Sequence, residues 1–183
     1  MRLFRSFRDD RALRRRSGAF ADTLMAEPSA PDVEWLASHA TRGDADHAAW
    51  ELRYLRRALG ILVAGRDALD DRTASVVLRA LAERMRRDPN VDEELRELSE
   101  RQLDARLSAY RDAFSARGHG TPALRVAQNL LAFAGGPIRA SDPVVQRGAE
   151  LVATELQAAR EALRAAFGEV ELPEDVAPSR LVR

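Results

Sequence analysis

The chain has no lysine and no cysteine. Without lysine there is no Schiff base and no lysine general base. All 29 basic side chains are arginine, which stays charged at any working pH and grips carboxylate or phosphate through a planar two-point fork. Without cysteine there is no thiolate nucleophile, thiolate zinc site, iron–sulfur cluster or disulfide. Long apolar runs are missing too. The best, Ala58 to Ala64, makes about two helical turns, far short of a membrane span. Arginine at nearly every third position near the amino terminus interrupts any secretory leader. Arginine without lysine, abundant alanine and absent cysteine together fit the codon usage of a high-GC genome. A soluble, cytoplasmic protein of bacterial type is the expectation.

With 183 residues, 45% of them hydrophobic, the chain can bury one sizeable core. Apolar residues recur at helical spacing and β-branched alternation is absent, so the fold class is all-α. The expected architecture is a single bundle of about six helices with a basic amino-terminal helical extension. The extension covers residues 1–27, the bundle 28–168 and a tail 169–183, where Pro173 and Pro178 stand.

Helix signals punctuate the bundle. Asp32 is placed as the cap of a short helix closed by Gly43, and Asp44 opens a long one. Val77, Leu81 and Met85 stripe the next, which Asp88-Pro89 stops. Asn90 with Glu93 has capping-box spacing ahead of a charged helix whose acid-first pairs are Asp92–Arg96 and Glu97–Arg101. Its apolar stripe runs Leu95, Leu98, Leu103, Leu107, Tyr110 and Phe114. Thr121-Pro122 and Ser141-Asp142-Pro143 start the last two helices. The final one carries a heptad seam of Val145, Ala149, Val152, Leu156, Ala159 and Leu163, able to pack within the chain or against a second copy.

Charge is unevenly placed. Arg2, Arg5, Arg8, Arg11, Arg14, Arg15 and Arg16 face only Asp9 and Asp10 within the first sixteen residues, a balance of +5 in a chain that nets zero. Such a head meets something anionic: a protein partner, phosphate, a lipid surface or the chain's own acidic body. Leu3, Phe4 and Phe7 add an apolar knob, which admits peripheral membrane binding. The arginines spiral around a helix rather than lining one face, and the pI is about 6.9, so specific nucleic-acid readout is not expected.

On a helical wheel at roughly 100° per residue, positions 44–66 present an apolar arc of about 220°, wide enough for a central helix. Asp44, His47 and Glu51 fall on one face of it beside Trp50 and Tyr54. These types are ligands for a hard or borderline metal and are also groups for acid–base work. The same residues equally make a helix-start cap and a hydrogen bond at the edge of the core. Trp35, Trp50 and Tyr54 are either core pieces or walls of a pocket. Gly60 and Gly65 have phosphate-loop spacing but lack the following lysine and hydroxyl. With no Glu-x-x-His, no Gly-x-Ser-x-Gly and three histidines in all, no catalytic set and no cofactor is expected.

The leading functional expectation is a non-catalytic interaction or assembly protein that contacts another protein, or itself, through its helical faces and arginine-rich head. The alternatives are a metal- or small-molecule-binding bundle centred on Asp44, His47 and Glu51, and a peripheral membrane protein.

Overall fold

Hydroxyl or carboxylate caps followed by proline begin three helices. The computed structural model describes residues 2–67, 71–117 and 120–168, with side chains for all of these except 2–9 and 71. Its helices are α1 (Arg2–Leu24), α2 (Ala30–His39), α3 (Ala45–Asp67), α4 (Asp71–Met85), α5 (Arg96–Ser115), α6 (Pro122–Ala134) and α7 (Pro143–Phe167), with one 3-10 turn at Glu93–Leu95. No strand occurs among the described residues, and the fold is all-α.

Thr121 caps α6 by accepting from the Leu124 amide at 3.2 Å, and Asp142 caps α7 by accepting from the Val144 amide at 2.8 Å. Asp44 caps α3 through the His47 amide at 2.9 Å. Gly135 closes α6 in the left-handed conformation at φ 81°, which costs a side-chain-free residue little. Among the described residues no helix is long and apolar enough to cross a membrane.

Two helix starts differ from expectation. Ser29, not Asp32, caps α2, its hydroxyl accepting from the Asp32 amide. Asn90 and Glu93 form no capping box, and α5 begins only at Arg96. The cause is Asp88, whose Oδ1 takes the Asn90 amide at 3.0 Å in a local turn and removes Asn90 from a capping geometry. The 3-10 turn that follows brings residues three apart into line, so Arg96 meets Glu93 at 3.3 Å rather than Asp92. Arg101 turns to the carbonyl of Glu97 instead of its carboxylate. Leu95 and Leu98 do not join the buried stripe: they are 51% and 43% exposed, whereas Leu103 and Tyr110 are buried.

α3 touches all six other α-helices, which makes it the central element. Burying an aliphatic side chain such as Leu55 or Leu59, both fully enclosed, stabilises the fold by about 1.5–3 kcal/mol. At Gly60 a Cβ would fall on the methyls of Leu24, so any larger residue there would force the Leu24 side chain to shift where α1 and α3 meet. α1 is one continuous helix, and its Phe20, Ala21 and Leu24 lie in the common core. The second half of α1 thus packs against α3, α4 and α7. The tail expected at 169–183 lies outside the described residues.

The seam of α7 is used within the chain. Val145, Val152, Ala159 and Leu163 are buried, Ala149 and Leu156 are half-buried against the core, and α7 packs on α6, α3 and α1. Gly148 brings α7 close to α6, since a Cβ there would stand 3.3 Å from that of Ala127. Self-association through this seam, one of the two arrangements its spacing allows, would first require these contacts to be broken.

Candidate functional site

Two regions gather polar chemistry, and the first is the α3–α5 contact. Glu51, 1% exposed, receives Arg106 Nε at Oε2 (2.9 Å) and Arg106 Nη2 at Oε1, a two-point pair. Arg106 Nη1 also donates to the Gln102 carbonyl, and its guanidinium lies 4.9 Å over Tyr54 and 4.4 Å over Phe133. Burial works to lower the pKa of Arg106, but the hydrogen bond and charge of Glu51 outweigh it and the net shift is upward. The Tyr54 hydroxyl donates to Gln102 Oε1 at 2.8 Å and stands 3.3 Å from Ser99 Oγ.

Within this setting Asp44 is spent as a helix cap, and His47 sits at the rim with Nε2 3.4 Å from Glu51 Oε1. The expected face therefore exists in part: His47 and Glu51 meet, Tyr54 joins through Arg106, and Asp44 points to its own backbone. Both oxygens of Glu51 already serve an arginine. No three histidine or carboxylate side chains stand together as a metal-holding group among the described residues. Trp50 contacts Tyr54 at 5.5 Å between centroids, whereas Trp35 stacks on His39, so the three aromatics do not form one wall.

One turn beyond lies a second buried pair that the periodicity of α3 did not single out. Arg57 Nη2 donates to Asp88 Oδ2 at 2.7 Å, with both residues under 5% exposed, and Arg57 Nε and Nη1 have no hydrogen-bond partner among the described residues. Arg57 and Arg53 flank the Trp50 ring at 5.7 and 4.7 Å. A charged residue inside the apolar arc of a central helix was the available signal for Arg57. Nothing local pointed to Asp88 or Arg106, whose partners are distant in sequence. Tyr110 is fully buried, its hydroxyl has no partner among the described residues, and burial, aided by the Glu51 charge, pushes its phenol well up.

The second region is the groove between α1 and α4. Asp10 pairs with Arg72, and Asp22 pairs with Arg84, whose Nη2 reaches Oδ2 at 3.1 Å. The steps from 10 to 22 and from 72 to 84 both equal twelve residues, so the helices run parallel with the two bridges about 18 Å apart. The hydrogen bond from Arg84 holds the Asp22 carboxyl below its usual range. Between the bridges is an open cleft of about 690 Å³ whose floor is Leu13, Gly18, Ala19, Val76 and Ala80. Its rim carries Arg14, Arg15, Arg79 and Glu83.

Arg11, Arg14, Arg15 and Arg16 are exposed, and none has an ion-pair or hydrogen-bond partner among the described residues. Asp10 and Asp22 of α1 hold α4 rather than neutralising their own helix. The side chains of Arg2, Leu3, Phe4, Arg5, Phe7 and Arg8 lie outside the described residues, although their backbone is helical. Compared with protein families, curated proteins and solved structures, the chain matches none.

Proposed function

We propose that this is a non-catalytic helical interaction or assembly protein that contacts another macromolecule through its helical faces and the arginine-rich α1. The observation that supports this reading is the set Arg11, Arg14, Arg15 and Arg16, exposed and without a partner among the described residues while Asp10 and Asp22 bind α4. Like charges crowded within one Debye length, about 8 Å, repel one another, and an anionic partner relieves that repulsion. Glu51, Arg106 and Tyr54 are taken up by one another and by Gln102, which suits a structural role for these three residues.

The test is a native mass spectrum of untagged protein purified at low salt from its own cells, beside a variant with these four arginines changed to serine. The expected result is a second chain retained by the wild type and lost from a variant whose helical circular dichroism is unchanged. A bare monomer in both preparations overturns the reading. A monomer carrying a metal or small-molecule mass overturns it in favour of the His47 and Glu51 face.

A further inference from the structure

The groove between α1 and α4 has a counterpart on the same molecule. Across the 3-10 turn and into the first turn of α5 the chain reads Asp92-Glu-Glu-Leu-Arg-Glu-Leu98, and Leu95 and Leu98, three residues apart, are about half exposed. Glu94 and Glu97 flank these leucines, are exposed, and their carboxylates have no ion-pair partner among the described residues. Arg101, the cation one turn on, folds back to the Glu97 carbonyl. The result is an acidic ridge with an apolar crest. The groove offers the inverse: an apolar floor of Leu13, Val76 and Ala80 beside the exposed guanidinium groups of Arg14, Arg15 and Arg79, which have no partner among the described residues.

We propose that a second copy of this chain inserts the Leu95–Leu98 ridge of its α5 into the α1–α4 groove, so that the protein self-associates head to tail. Complementary charge selects this occupant, because the cations and the carboxylates that match them belong to the same sequence and do not pair with one another among the described residues of one copy. Complementary surface supports it, because the leucines that α5 leaves uncovered gain a floor. The length also fits, since the cleft between the two ion pairs spans about 18 Å, or three helical turns. Glu83 on the rim sets the direction, as it repels Glu94 and Glu97 from its side of the groove. The groove and the ridge are different surfaces of one copy, so the contact is heterologous and leads to rings or open chains. This inference rests on the assembly reading above and names its partner.

The experiment is sedimentation velocity over a concentration series at about 0.02 M and about 0.5 M salt. Four proteins are compared: wild type, a groove variant (Arg14→Glu with Arg15→Glu), a ridge variant (Glu94→Arg with Glu97→Arg), and the chain carrying all four changes. These positions are exposed, and circular dichroism checks that each chain folds. Wild type is expected to associate at low salt and dissociate at high salt. Each reversal alone weakens association by about tenfold or more, and the fourfold variant regains it. A monomeric wild type at low salt overturns the inference, as do single-surface variants that associate like wild type or a fourfold variant that stays monomeric. If the wild type is a monomer alone yet holds a different protein in an α1-dependent way, the self-docking fails while the assembly reading stands.

Discussion

Asp88→Asn should be the most damaging single isosteric change in this protein. It leaves the Arg57 cation inside the bundle, 1% exposed, with no counter-charge and with Nε and Nη1 already unpartnered. Removing one member of a buried ion pair costs about 3–5 kcal/mol. For a protein of this size that lowers Tm by about 6–20 °C. The reverse deletion should be milder. Arg57→Met removes the charge together with its two unsatisfied donors and puts an adaptable apolar chain beside Trp50. The Asp88 carboxylate it leaves keeps the Asn90 amide and sits on a loop whose Arg87, Pro89 and Asn90 are exposed, so a small movement takes it to water. A cost of about 1–2 kcal/mol is expected. The double variant should cost about what Arg57→Met costs alone, so the coupling equals the whole cost of Asp88→Asn, about 3–5 kcal/mol. Urea unfolding followed by circular dichroism measures all three, with equal slopes as the check that the unfolded state is unchanged. If Arg57→Met costs as much as Asp88→Asn, or if the two effects add, the asymmetry drawn from the unpaired nitrogens is wrong.

Three further outcomes are expected. Gly60→Ala places a methyl against Leu24 and should cost about 1–3 kcal/mol. In a thermal melt its combination with Leu24→Ala should lose less than the sum of the two. Tyr110→Phe removes a buried hydroxyl that has no partner and should leave stability unchanged or raise it by up to about 1 kcal/mol. Because burial raises the folded phenol above its ordinary 10.0, the wild type should lose stability as pH climbs past that value, and the variant should lose less. Asp22→Asn should cost about 0.2–1 kcal/mol at neutral pH, a small effect because the pair with Arg84 is solvent-exposed. Since Arg84 lowers the folded pKa of Asp22, the deficit is present above the ordinary 3.8 and should vanish as the pH falls through the lower folded value, and added salt should shrink it.

Much of the fold is legible because its signals are local. Thr121-Pro122, Asp142-Pro143, Asp44 and Gly135 act on the backbone within a turn of themselves, so reading them needs no tertiary information. The wide apolar arc of α3 likewise shows that the helix is surrounded. The start of α5 departs from its local signal because Asn90 and Glu93 satisfy the capping rule locally, while Asp88, held by Arg57 from 31 residues away, decides the turn.

The candidate site divides in the same way. Glu51 near His47 follows from a four-residue step on one helix, and the geometry keeps it. That Glu51 is neutralised by Arg106 across 55 residues does not follow from either local pattern. The chain alone determined its all-α class, the central place of α3 and the arginine excess of α1, because periodicity, caps and composition act over a few residues. Tertiary structure decided which charges are paired. It set Asp10 and Asp22 against α4, buried Arg57 with Asp88, covered the α7 seam, and left Arg14 and Arg15 bare beside a groove and Leu95 and Leu98 bare on a ridge. Pairing depends on which helix faces stand within a few ångströms of each other, a distance that sequence separation does not encode.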